Sequence, residues 1–431
     1  MYRGKYSRVQ APVLPHWAEN AVIYEVNVRQ FTPQGTFAAL AAHLPRLKEL
    51  GVTVLWFMPI HPIGRKRRKG SLGSYYAIRD YYDINPEFGT LDDFKKLVKK
   101  IHDLGMFVII DLVANHTAWD HPLIEEHPEW YRRDEDGTIV SPLPGWQDVA
   151  ALNYENPDVR QYMSDMMVYW VQEIGIDGYR CDVAELVPPE FWQTAIARLQ
   201  KKSVLMLAEG QHPSLHAHGF HLSYAFNMYW LFNGIVDGTR RIREIDELLA
   251  IDISRFPTGA RRLRFTSNHD QNSWLGSAVE RLGQAARVFA VLTFTLPGTP
   301  LIYSGQETGN SKRLEFYEKD VIEWQESPFT PFYQRLCDLY KNHPALYKGE
   351  MTPLTIHDPD ALYAFERTCA NDRVVVVANL SSKTMTGHLV LENIPYKLVD
   401  AFTGDKFILE KISVTLAPWD FRIYTVENSS E

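Results

Sequence analysis

Gly175-Ile-Asp-Gly-Tyr-Arg-Cys-Asp-Val-Ala-Glu-Leu-Val-Pro188 places two opposite charges, Arg180 and Asp182, two positions apart in a stretch that otherwise reads as a buried strand. Side chains alternate along a strand, so Tyr179 and Cys181 face one way while Arg180 and Asp182 face the other. A helical pattern at 159–174 precedes the stretch. A strand with helices over one face and charges at the far end of the other suits a barrel with a polar mouth.

The pattern repeats outward from there. Apolar, partly β-branched runs at 22–28, 52–57, 106–111, 176–182, 204–209, 262–266 and 300–304 read as buried parallel strands, and 220–227 supplies an eighth. Amphipathic stretches at 36–50, 91–104 and 159–174 lie between them. The second follows Thr90, a good N-cap, and has two aspartates in its first turn. Such an alternation predicts a (β/α)8 TIM barrel, with a doubly wound sheet as the alternative.

Two regions depart from it. Residues 117–156, after the third strand, have few apolar runs and many Pro, Gly, Asp and aromatic residues, as an inserted subdomain or functional loop does. From about Gly349 the helical patterns stop. Short strands at 363–367, 374–380, 388–391 and 422–426, with turns between them, predict a C-terminal antiparallel β-sandwich. The resulting division is barrel at 1–116, insert at 117–156, barrel at 157–348 and sandwich at 349–431.

Composition narrows the function. A formal charge of −8 argues against nucleic acid as a partner, because phosphate neutralisation needs clustered cations. The one basic run, Arg65-Lys-Arg-Arg-Lys69, lies among glycines and reads as an exposed, solvated loop. No apolar run reaches a membrane span and no secretory pattern opens the chain, so the reading is a soluble cytoplasmic protein. The cysteines Cys181, Cys337 and Cys369 are spaced for neither a disulfide framework nor a metal cluster. Tryptophan (11) and tyrosine (22) are abundant enough to furnish a cleft that stacks on flat ligand faces.

Active residues of a barrel project from the C-terminal ends of its strands. Those ends carry Asp111 with Asn115 and His116, Arg180 with Asp182, Glu209, and His269 with Asp270. Each alone has a structural explanation: an N-cap, an interior ion pair, a capped turn, a surface loop. Four strands ending in carboxylates do not, since unpaired buried acids are costly. A carboxylate nucleophile beside a proton-donating carboxylic acid is the apparatus of glycoside cleavage, and an arginine would keep the nucleophile ionised. Metal-dependent hydrolysis competes for such a cluster but calls for a His-rich shell or bridging carboxylates.

These segments resemble the α-amylase family of glycoside hydrolases over nearly the whole chain. Asp111-Leu-Val-Ala-Asn-His116, Gly178-Tyr-Arg-Cys-Asp182, Glu209 and Thr266-Ser-Asn-His-Asp270 look like its four signature regions. The flanking segments 51–59 and 298–307, and Tyr76 with Asp80, agree. The resemblance implies a retaining mechanism with Asp182 as nucleophile, Glu209 as acid/base and Asp270 on the sugar hydroxyls. It places Tyr76, His116, Arg180, His269 and Asp111 around the bound sugar. It also implies an α-1,4-linked glucan or maltooligosaccharide as substrate, and no cofactor for the chemistry. Structural calcium between barrel and insert is a family trait, for which Asn115 and Asp148 are the candidate ligands.

The sequence departs from the family pattern at Ser74, at Ala151-Leu-Asn153 and at Glu185-Leu186, the last replacing a Lys-His pair. Val183 occurs in relatives that cleave α-1,6 bonds and in cyclodextrin-degrading ones. Transglycosylation or isomerisation, α-1,6 cleavage and an inactive binding homologue therefore stand as alternatives. Oligomeric state is left open.

Overall fold

Alternation within the short apolar runs becomes the inside and outside of a closed barrel. In the computed structural model, which describes residues 4–199, 203–390, 396–409 and 411–426, eight parallel strands close on themselves. They are β1 (Ile23–Val26), β2 (Val54–Phe57), β3 (Phe107–Leu112), β4 (Gly178–Cys181), β5 (Leu205–Ala208), β6 (Leu222–Tyr224), β7 (Arg261–Arg264) and β8 (Thr299–Tyr303). Each pairs with its neighbours in sequence and β8 pairs with β1. Most are shorter than the runs that encode them; β3 and β8 keep the length of theirs, shifted by one residue.

The interior changes character along the barrel axis. Ile23, Val54, Ile109, Leu205, Leu222, Leu263 and Leu301 form a buried apolar cluster. Toward the C-terminal ends, Glu25, Asp111 and Arg180 take over, all with essentially no exposure. Register sets the charges beside one another: Glu25 pairs with Trp56 across β1 and β2, and Asp111 with Arg180 across β3 and β4. Tyr179 points outward, and its hydroxyl donates to the Met167 carbonyl (2.8 Å) of the covering helix Pro157–Tyr169.

Helix boundaries follow local chemistry. Thr90 and Asp93 form a reciprocal capping box at the start of the helix Leu91–Asp103. The single helix expected over 36–50 is two, Phe37–Ala41 and Leu44–Leu50. Pro45 has no N–H to extend the first and suits the opening turn of the second. The helix expected over 159–174 ends in a wide turn, Trp170–Ile174, stopped by Gly175 at φ 89°.

The insert is not structureless. His116–Ala118 pairs antiparallel with Val149–Ala151, and short helical turns at Leu123–Glu126 and Pro128–Trp130 lie between. At the C-terminus a six-stranded antiparallel sheet faces a two-stranded one, Met385–Val390 with Lys411–Leu416. One face of the larger sheet, with Leu362, Ala364, Val375 and Val377, packs on the smaller. The other, with Phe365, Val374, Val376 and Ile423, joins the main core of the barrel. Leu391, the last residue of the expected strand 388–391, lies outside the described residues. The strands Tyr396–Asp400 and Lys406–Leu409 are absent from the sequence reading; the second, short and opening on Lys406, forms an edge of the larger sheet. Among the described residues no helix is long and apolar enough to cross a membrane.

Gly178 starts β4 where another side chain has no room. A Cβ there would lie 2.0 Å from the carbonyl oxygen of Leu205 and 2.7 Å from its nitrogen. Gly178→Ala is therefore expected to cost about 3 kcal/mol through strand displacement. The check is the urea midpoint of the variant; an unchanged midpoint would contradict the register drawn here.

Candidate active site

Arg180 organises the mouth of the barrel. Its Nη1 donates to Asp111 Oδ1 (2.9 Å) and to Asp182 Oδ1 (3.0 Å). Its Nη2 lies 3.0 Å from Glu209 Oε2, an ion pair without hydrogen-bond alignment. Nε reaches the Tyr224 hydroxyl at 3.3 Å, and the guanidinium carbon sits 5.1 Å from the Trp56 ring and 5.7 Å from that of Tyr76. Burial acts against the charge, but Asp111 and Glu209 outweigh it and hold the proton affinity of Arg180 well above its ordinary value.

The carboxylates feel the same field with opposite sign. Burial, then the charge of Glu209, push the Asp182 carboxyl well up, while Arg180 pulls it back. Asp111 is pushed up to about 6 by burial, again against Arg180. Glu209 is placed by an unusual backbone: its Oε2 accepts the N–H of Val183 (2.8 Å), a residue at φ 37°, ψ 48°. A β-branched side chain in the left-handed region costs roughly 1–3 kcal/mol. The turn thus brings the residue after Asp182 onto the carboxylate of Glu209.

The sugar-side residues fall into two groups. Tyr76, His116, Asp182, Glu209, His269 and Asp270 line one cleft. Arg180 and Asp111, read from the sequence among residues around the sugar, are fully buried beneath its floor. They hold the lining residues and touch protein only: Asp111 Oδ2 accepts from the Tyr76 hydroxyl (3.1 Å) and Trp56 Nε1 (3.3 Å). Tyr76 stacks on His269, with ring centroids 5.4 Å apart. His116 is held neutral by burial, which pushes its pKa down to about 4 against the pull of Asp148.

Sequence reasoning missed Glu25 and most of the cleft wall. Glu25, in β1, places Oε1 2.5 Å from His269 Nδ1. Its signal was available: an acid at an inward position of a strand otherwise apolar. Trp146, Trp274, Phe316 and Tyr317 line the cleft from three separate loops, with no spacing pattern to announce them. Trp274, half-exposed, stacks on Phe316 (5.3 Å) and points its Nε1 at Asp270 Oδ1 (3.3 Å). Glu185, a departure from the family pattern, accepts the backbone N–H of His212 (2.6 Å) and that of Gln211, and so ties down the loop after Glu209.

The calcium ligands inferred from the family resemblance do not fit here. Calcium takes six to eight oxygens. The Asn115 amide nitrogen faces His116 Nδ1 at 3.2 Å. Asp148, nearly buried, already binds an ammonium: Lys69 Nζ lies 2.7 Å from its Oδ1 and donates to the Gly145 carbonyl (2.8 Å). Among the described residues no group of three or more His, Cys, Asp or Glu is placed to hold a metal ion. The reading of 65–69 as exposed surface holds for Arg65, Lys66 and Arg67 and fails for Lys69, whose ammonium is engaged by Asp148. Lys69 lines the cleft, Arg68 donates to the Gly64 carbonyl (2.8 Å), and the Arg67 guanidinium covers Trp119 at 3.8 Å.

A closed (β/α)8 barrel with acids from its third, fourth, fifth and seventh strands gathered at the C-terminal mouth is the architecture of a glycoside hydrolase. The family model for the α-amylase catalytic domain matches residues 17–136 and 145–229. A noncanonic maltogenic α-amylase, AmyB, from Thermotoga neapolitana superposes with TM-score 0.87 at 32% identity, covering 95% of this chain and 99% of that one. An α-amylase from Lactobacillus plantarum gives 0.86 at 30% identity, with 95% and 99% covered. The α-amylase MalA of Haloarcula japonica is 29% identical over 394 residues, 86% of this chain; the match spans 57% of MalA. The chain belongs to the α-amylase family.

The Lys69–Asp148 pair predicts that dialysis against EDTA leaves the melting temperature unchanged. Lys69→Met, which strands a nearly buried carboxylate beside a part-exposed lysine site, is expected to cost about 1–2 kcal/mol. Scanning calorimetry with and without chelator checks both; a chelator-induced drop restored by calcium would refute the assignment.

Proposed function

We propose that this protein is a retaining glycoside hydrolase that cleaves α-1,4-glucosidic bonds in maltooligosaccharides. The observation that carries the reading is the single guanidinium of Arg180 within 3.0 Å of Asp111, Asp182 and Glu209 together. That arrangement brings a nucleophile and a proton donor to one point below a cleft walled by aromatic rings.

Asp182 attacks the anomeric carbon while Glu209 protonates the departing glycosidic oxygen; a covalent glycosyl-enzyme results. Glu209, now a carboxylate, takes a proton from water, whose oxygen displaces Asp182 and restores both groups. The mechanism calls for carboxyl groups about 5–5.5 Å apart. Arg180, 3.0 Å from Asp182 Oδ1, opposes protonation of the nucleophile, against the burial and the Glu209 charge that favour it. Asp270, more than a third exposed and beside Trp274, is free to accept hydrogen bonds from the hydroxyls of the sugar. Tyr76, Trp146, Trp274, Phe316 and Tyr317 offer apolar faces for pyranose rings. The similarity to a maltogenic amylase favours short soluble α-glucans.

Asp182→Asn is expected to lower kcat on maltotriose at least about 10³-fold. Glu209→Gln should lose about 10²- to 10⁴-fold on maltotriose, yet retain activity on an α-glucosyl fluoride, whose leaving group needs no acid. Turnover unchanged in Asp182→Asn would refute the mechanism. A product time-course on maltotriose, cyclodextrin, pullulan and trehalose decides the bond and the acceptor. Products longer than maltotriose would indicate transfer to sugar in place of water.

A further inference from the structure

The mechanism above makes no use of Glu25, a fully buried carboxylate at the barrel mouth that makes no ion pair with Arg180. It sits in β1 with no exposure, its Oε1 2.5 Å from His269 Nδ1 and its Oε2 without a hydrogen-bond partner. An anion so placed needs a cation. On the far side of the ring, His269 Nε2 lies 2.8 Å from the Tyr76 hydroxyl and 3.5 Å from Asp270 Oδ2. Both ring nitrogens therefore face acceptors, and an imidazole that donates from both is an imidazolium.

We propose that Glu25 is a positioning residue for the reaction, forming with His269 a carboxylate–imidazolium pair that sets the direction of every hydrogen bond from β1 to the nucleophile. The sense of each bond follows from that charge. His269 Nε2–H donates to the Tyr76 oxygen. Tyr76, its lone pair engaged, donates its proton to Asp111 Oδ2 at 3.1 Å. Asp111 then presents Oδ1 to Arg180, which carries Asp182. A neutral His269 with its proton on Nδ1 would offer Nε2 as an acceptor. The Tyr76 hydroxyl would turn to it and leave Asp111 short of a donor. Tyr76 and His269 both line the cleft, so the orientation of these donors is also the one a bound sugar meets.

The charged and titratable groups around the ring act together. Burial opposes its charge, Asp270 and Glu25 favour it, Arg180 opposes it more weakly, and His269 is raised to about 9. Asp111 lies within electrostatic reach across the floor, and Tyr303 on β8 faces Glu25. The imidazolium is thus present through neutral pH and lost as pH rises through about 9.

Glu25→Gln keeps the shape and an acceptor oxygen while removing the charge. Its kcat on maltotriose should fall about 10- to 100-fold, the scale of a misaligned reacting group. The alkaline limb of its pH–rate profile should move down by at least about one pH unit, because burial then acts on His269 with one counter-charge fewer. In a His269→Gln background the same change should cost kcat less than about twofold. An unmoved limb, or an equal loss in that background, would overturn the proposal. The wild-type protein gives a test that no folding defect can spoil. Its imidazole ¹⁵N shifts, with His269 assigned by comparison with His269→Gln, should report a cation at pH 7.5, and a neutral ring there would overturn the proposal. The inference rests on the glycosidase reading. That reading is tested separately by Asp182→Asn, whereas the ring titration needs no substrate.

Discussion

A guanidinium buried at the mouth of the barrel is the contact on which the rest of the site depends. Three carboxylates from three consecutive strands, or the turns that end them, converge on Arg180. None has enough water around it to stand alone. Removing one member of such a group leaves uncompensated charge and costs about 3–5 kcal/mol. The arginine depends on the acids in turn, since Asp111 and Glu209 offset the burial that opposes its charge. Aromatic rings of Trp56, Tyr76 and Tyr224 enclose it. This is a low-dielectric setting in which small displacements of charge change proton affinities strongly.

That setting sorts the charged groups by depth. Asp111, Arg180 and Glu25 have essentially no exposure and contact protein only, whereas Asp182, Glu209 and Asp270 reach the cleft. Backbone geometry supports the division. The left-handed turn at Val183 places an N–H on Glu209, and the pairing of Asp111 with Arg180 across β3 and β4 makes their ion pair a consequence of register. The insert is tied to the barrel loops by the Lys69 ammonium on Asp148. This cation needs no coordination sphere of six oxygens.

Much of this was legible in the chain. The eight strands announced themselves as apolar runs, and the charges interrupting their ends marked the mouth. The 3.6-residue period exposed the helices, except where Pro45 divided one and a wide turn closed another. The acids Asp182, Glu209 and Asp270 stood out because buried strands do not ordinarily end in carboxylates. Glu25 obeyed the same rule and was overlooked because it sits within a strand rather than beyond its end. Lys69 was misread because a run of five cations looks solvated when its fold is unknown; Arg65, Lys66 and Arg67 are exposed as expected, whereas the Lys69 ammonium is drawn to Asp148.

Sequence alone determined the barrel, the order of its strands, the acids that gather at its mouth and the family to which the chain belongs, because periodicity and motif spacing are local properties of the chain. Only the tertiary structure decided which carboxylates share Arg180, which aromatic rings wall the cleft and which basic residue pairs with Asp148. Those outcomes depend on side chains brought together from distant parts of the chain, as His269 and Glu25 are across 244 positions. Distance and burial, which fix the sign and strength of an electrostatic interaction, exist only once the barrel has closed.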